Sequence, residues 1–77
     1  MPTSQLIEAV IDFEGPRWSV GNAAKHVRRF CFINGLEIVA EEVQKSLFDA
    51  YYGFRLQGEE LLIDELRNDL VAFNSQF

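Results

Sequence analysis

The apolar positions of this chain recur mostly at spacings of three and four, which predicts four helical segments separated by glycine and proline. The first covers about residues 4–13. Leu6, Val10 and Phe13 share one helical face there, and Thr3 or Ser4 stands where a cap is needed. The same stretch also alternates, with Ile7, Ala9, Ile11 and Phe13 on one side, so a strand is the competing reading. Glu14-Gly15-Pro16 ends it in either case. The second segment runs from about Val20 to Ile33, with Ser19 as N-cap and Trp18 as a staple onto Ala23. Its stripe is Val20, Ala23, Ala24, Val27, Phe30 and Cys31, and Gly35 supplies the left-handed stop.

The third segment, about Leu36 to Tyr52, has the longest stripe: Leu36, Val39, Ala40, Val43, Leu47, Ala50 and Tyr51. Gly53 is its terminator. The fourth, about Glu59 to Asn74, has Leu62, Leu66, Leu70 and Phe73 on one face and two acids in its first turn, where they complement the helix dipole. The expected fold is therefore all-α, a compact bundle of three to four short helices in a single domain spanning residues 1–77. The alternative is α+β, with residues 5–13 pairing with the connector after Gly53 as a short two-stranded element.

Length sharpens this picture. A chain of 77 residues buries roughly 60% of the surface its unfolded form exposes, so the core is thin. With a single Cys and a single His, neither an intrachain disulfide nor a thiolate–imidazole zinc site can be completed. Apolar residues make up 48% and charged residues 25%, a globular balance, and no apolar run approaches the ~20 residues of a membrane span. The lone cysteine and the absence of a basic leader before Glu8 point to the cytoplasm.

No catalytic constellation emerges. Cys31 lies on an apolar stripe, where a small buried hydrophobe is the ordinary role, and His26 is five residues away rather than one turn. His26 reads as a solvated member of a basic face. Adjacent acids such as Glu41-Glu42 and Asp64-Glu65 read as solvated helix faces, not as converging acid–base pairs. The glycines are scattered and form no phosphate loop. No enzyme activity, metal, cofactor or small-molecule substrate is expected.

Charge is distributed unevenly. Residues 15–36 contain Arg17, Lys25, Arg28 and Arg29 and no acid, within a chain of net charge −5. Those four residues are the candidate phosphate-binding set. Against that use stands the acidic balance of the whole, and a helix-turn-helix around Gly35 would aim Glu41 and Glu42 at phosphate. Glu41, Glu42, Asp49, Glu60 and Asp64 are the candidate acidic contact face. Phe32, Ile33, Ile38, Phe48 and Tyr52 lie off the predicted stripes and are the candidate partner or dimer contact. The expected function is a small acidic protein–protein interaction module of the adaptor or inhibitor type, acting without catalysis. The expected partner is another protein, with a homodimer the simplest case. The alternative is a nucleic-acid binder using the basic helix around residues 17–29.

Overall fold

The structure, a computed structural model, describes residues 5–74 and the side chains of residues 5–71. The Thr3 or Ser4 cap and the Phe73 end of the last stripe lie outside them. The expected all-α bundle is wrong: the chain is an α+β fold. Its elements are β1 (Leu6–Pro16), α1 (Arg17–Asn34), β2 (Glu37–Lys45), β3 (Asp49–Glu59) and α2 (Glu60–Asn74). The strands form one sheet of order β1-β3-β2, with β3 antiparallel to both neighbours. β1 and β2 are thus parallel, joined by α1 as a crossover, with β3 inserted between them. The pairing of residues 5–13 with the segment after Gly53, the alternative to that bundle, is one side of this sheet: Ala9 opposes Leu56 and Ile11 opposes Phe54.

The largest correction falls on residues 36–52, read as one helix. They form β2, a hairpin turn and the first part of β3. From Ala50 onward the chain buries alternate residues, Ala50, Tyr52, Phe54 and Leu56, and that period of two overrides the helical spacing. The turn is held by backbone and side chain together. The Ser46 N–H donates to the Asp49 carbonyl at 2.9 Å, and the Asp49 N–H donates to Ser46 Oγ at 3.2 Å. Leu47, expected near the centre of a core stripe, stands on this turn and is 78% exposed, and Val43 on the edge strand is also exposed.

Both helices pack on one face of the sheet, against alternate residues of the strands. The α1 stripe is buried as expected: Val20, Ala23, Ala24, Val27, Phe30 and Cys31. Gly35 ends the helix at φ 73°, and the Leu36 N–H donates to the Cys31 carbonyl at 3.0 Å. Ser19 is not the cap. Pro16 occupies that position without a side-chain bond, while the Arg17 N–H donates to the Phe48 carbonyl at 3.0 Å. Ser19 lies inside the helix, buried, and its Oγ has no hydrogen-bond partner among the described residues. Trp18, the expected staple, is the second helical residue and exposed. In α2 the buried residues are Ile63, Leu66 and Leu70, with Leu62 only partly covered. His26 is not a free surface group either: its Nε2 lies 3.0 Å from Asp69 Oδ2, tying α1 to α2. Phe13, Tyr52 and Phe54 form a triangular aromatic cluster, with centroids 5.9–6.3 Å apart, on the helix side of the sheet. Among the described residues, no helix is long and apolar enough to cross a membrane.

Candidate interaction surface

With both helices on one face, the other face of the sheet is open. Alternation decides what it carries. On β1, Ile7, Ala9, Ile11 and Phe13 turn toward the helices, and Leu6, Glu8, Val10, Asp12 and Glu14 turn away. On β3 the register sets Asp49, Tyr51, Gly53, Arg55, Gln57 and Glu59 on the open side. On β2 it adds Glu37, Ala40, Glu42 and Gln44. The open face therefore gathers Glu8, Asp12, Glu14, Glu37, Glu42, Asp49 and Glu59, with Arg55 the one cation the register sets among them.

Local contacts order this face without neutralising it. Arg55 Nε lies 3.4 Å from Glu8 Oε1, an exposed pair. Gln44 Nε2 donates to Glu42 Oε1 at 3.0 Å. Gly53 leaves room in mid-strand for the ring of Tyr51: a Cβ at that position would lie 2.8 Å from the Tyr51 hydroxyl. From there the hydroxyl donates to Asp12 Oδ2 at 3.2 Å. Desolvation, the Asp12 carboxylate and its hydrogen bond, then Glu42 and Glu14, hold the Tyr51 phenol above the usual tyrosine range. The carboxylates are spread along the strands rather than converging: among the described residues no cluster of His, Cys, Asp and Glu could hold a metal ion. A shallow depression of about 230 Å3, open to solvent, lies at the hairpin end between Glu14, Gln44, Asp49 and Tyr51.

The structure divides each of the sets expected from sequence. Of the acids, Glu42 and Asp49 belong to the open face. Glu41 is on the helix side of β2, and Glu60 and Asp64 are on α2. Of the bases, Arg28 is exposed but reaches from α1 to the sheet: its Nη2 donates to Glu41 Oε1 at 2.8 Å, and its guanidinium lies 5.8 Å from the Phe54 ring centroid. Lys25 and Arg29 remain together on the exposed side of α1, beside Asn22 and His26. Arg17 is at the far start of the helix. Of the apolar set, Tyr52 is core and Ile38 packs against the core. Phe32 and Ile33 are exposed at the C-terminal end of α1, and Phe48 is exposed beside its N-terminal end. An 18-residue helix spans about 27 Å, so those exposed residues form two sites rather than one.

Sequence reasoning missed Glu8, Asp12, Glu14, Glu37 and Glu59 as members of one surface. The signal was the alternation of residues 6–14, which puts every acid of that stretch on the side opposite Ile7, Ala9, Ile11 and Phe13. Cys31 is enclosed in the core, and burial pushes its thiol up, away from the reactive thiolate. No family model, no curated protein and no solved structure matches this chain.

Proposed function

We propose that this protein is a non-catalytic binding module, of the adaptor or inhibitor type, whose open sheet face docks on a basic surface of another protein. The observation that carries the reading is the composition of that face: seven carboxylates on three adjacent strands, with Arg55 alone among them. Such a surface steers a Lys- and Arg-rich partner into contact and repels phosphate. It is also built on strands rather than loops, so its charges are held at fixed spacing with little ordering cost on association. The net charge of −5 adds a long-range field of the same sign.

The test is capture from an extract of the source cell with three immobilised proteins. These are the wild type, the triple variant Glu8→Gln/Asp12→Asn/Glu42→Gln, and Asp64→Asn on α2. A partner held by the wild type and Asp64→Asn, lost with the triple variant and eluted by salt, supports the reading. Equal capture by the triple variant would refute it. So would retention of the wild type on heparin with salt-sensitive DNA or RNA binding. That result would transfer function to Lys25 and Arg29 on α1.

A further inference from the structure

The second surface is an edge. β2 pairs with β3 along one side only, and its other side is unpaired among the described residues. It is exposed along nearly all of its length, with Val39 46% and Val43 43% exposed. An open strand edge offers a row of backbone donors and acceptors to any chain that can match it.

We infer that the β2 edge is a homodimer interface, in which β2 pairs antiparallel with β2 of a second copy about a two-fold axis at Val43. The argument is self-complementarity. In that register Val43 faces Val43 of the second copy, Glu41 faces Lys45 of the second copy, and Glu42 faces Gln44 of the second copy, each reciprocally. A two-fold pairing must also set side chains of the same face against each other. It does: Glu41, Val43 and Lys45 oppose Phe54, Tyr52 and Ala50 on the helix side, whereas Glu42 and Gln44 oppose Gly53 and Tyr51 on the open side. An apolar pair therefore sits on the axis, flanked by two opposite-charge pairs and two carboxylate–amide pairs, with no like charges opposed. The carboxylate–amide match is already realised within one strand, where Gln44 donates to Glu42.

The registers shifted toward the start of β2 fail, and a shift to Gln44 loses both the apolar pair and the opposite-charge pairs. Centring on Glu42 or Glu41 opposes two copies of the same carboxylate. The Glu41 register also runs into the irregularity at Val39, where the pairing with β3 shifts by one residue. The favoured register instead carries the exposed hairpin tip, Leu47, to the level of Val39 of the second copy, which brings two more exposed apolar side chains within reach. The opposite edge of the sheet matches itself poorly about its centre. Pairing β1 with itself about Val10 or Ile11 sets Glu8 against Asp12 or Glu14 of the second copy.

Sedimentation equilibrium of the full chain tests this independently of any basic partner. Wild type is expected to dimerise at concentrations up to about 100 μM. Val43→Lys, which opposes two ammonium groups on the axis, and Lys45→Glu, which opposes a carboxylate to Glu41, should each lower dimer affinity by about tenfold or more. Wild-type circular dichroism of each variant establishes that the fold is intact. Register is read by oxidation: Val43→Cys should cross-link between copies, whereas Gln44→Cys should not, because it faces Glu42. A monomer throughout, a dimer unmoved by both charge variants, or cross-linking by Gln44→Cys as readily as by Val43→Cys would overturn the inference.

Discussion

Replacing Gly58 by alanine tests how closely the α1–β2 junction is seated on the sheet. Gly58 lies on the helix side of β3, opposite Ile7. A methyl there would overlap Cδ2 of Leu36 and come within 3.6 Å of the Leu36 Cα. Leu36 is buried, so its side chain must turn against packed neighbours or its backbone must shift. Overpacking of that kind costs about 1–3 kcal/mol. Removing a glycine from a strand interior gives back about 0.5–1 kcal/mol. The net expectation is a loss of about 1–2 kcal/mol, a large share of the ~5 kcal/mol available to a domain of this size. Leu36→Val deletes the overlapping Cδ atoms and alone costs about 1 kcal/mol. The double variant should then be less destabilised than the sum of the singles by about 1 kcal/mol or more. Urea titration followed by far-ultraviolet circular dichroism measures all three, read as midpoint shifts at constant slope. A neutral or stabilising Gly58→Ala, or strict additivity in the double variant, would refute the assigned contact.

Two further expectations follow from burial and charge. Leu66→Ala, at a fully buried site of α2, should cost about 2–5 kcal/mol, whereas Leu47→Ala on the exposed turn should stay within about 0.5 kcal/mol in the same titration; reversal of that order would contradict the placement of both. The raised Tyr51 phenol means the folded state holds that proton more tightly than the unfolded state. Its stabilisation is complete below the ordinary tyrosine value of about 10 and is lost as pH rises through the folded-state value. Ultraviolet titration should show Tyr51 ionising late, and Tyr51→Phe should remove that late step together with part of the alkaline loss of stability; an unchanged titration would refute the assignment.

What could be read in advance depended on how completely each element is covered. α1 packs across the sheet and beside α2, so its six stripe residues had to be apolar at helical spacing, and they are. α2 was legible as a helix, but its expected stripe omitted the fully buried Ile63 and included Leu62, which is only partly covered. β2 was not. An edge strand exposed on both faces has no alternation to display, and Val39, Ala40 and Val43 happen to fall at spacings a helix would use. Gly53 reinforced the error by looking like a helix stop. In the structure it is a strand interior whose missing side chain makes room for the Tyr51 ring. The acidic face was illegible as a unit for a related reason. Its members come from three strands brought together only by the register, whereas Glu41 and Glu42, adjacent in sequence, point to opposite sides.

The order of strands in the sheet also sets the order in which the chain must fold. β3 lies between β1 and β2 but is made after both. Partners in the β1–β3 ladder are 33 residues apart at Pro16 and Asp49 and 53 apart at Leu6 and Glu59. Closing so long a loop delays pairing, and α1 and the local β2–β3 hairpin can form first. On a ribosome, β1 therefore waits as an unpaired strand of alternating apolar residues, the kind of segment that joins the wrong neighbour. Glu8, Asp12 and Glu14 interrupt it on the side opposite Ile7, Ala9, Ile11 and Phe13. The carboxylates of the open sheet face thus stand where gatekeepers are needed, on the strand that waits longest for its partner.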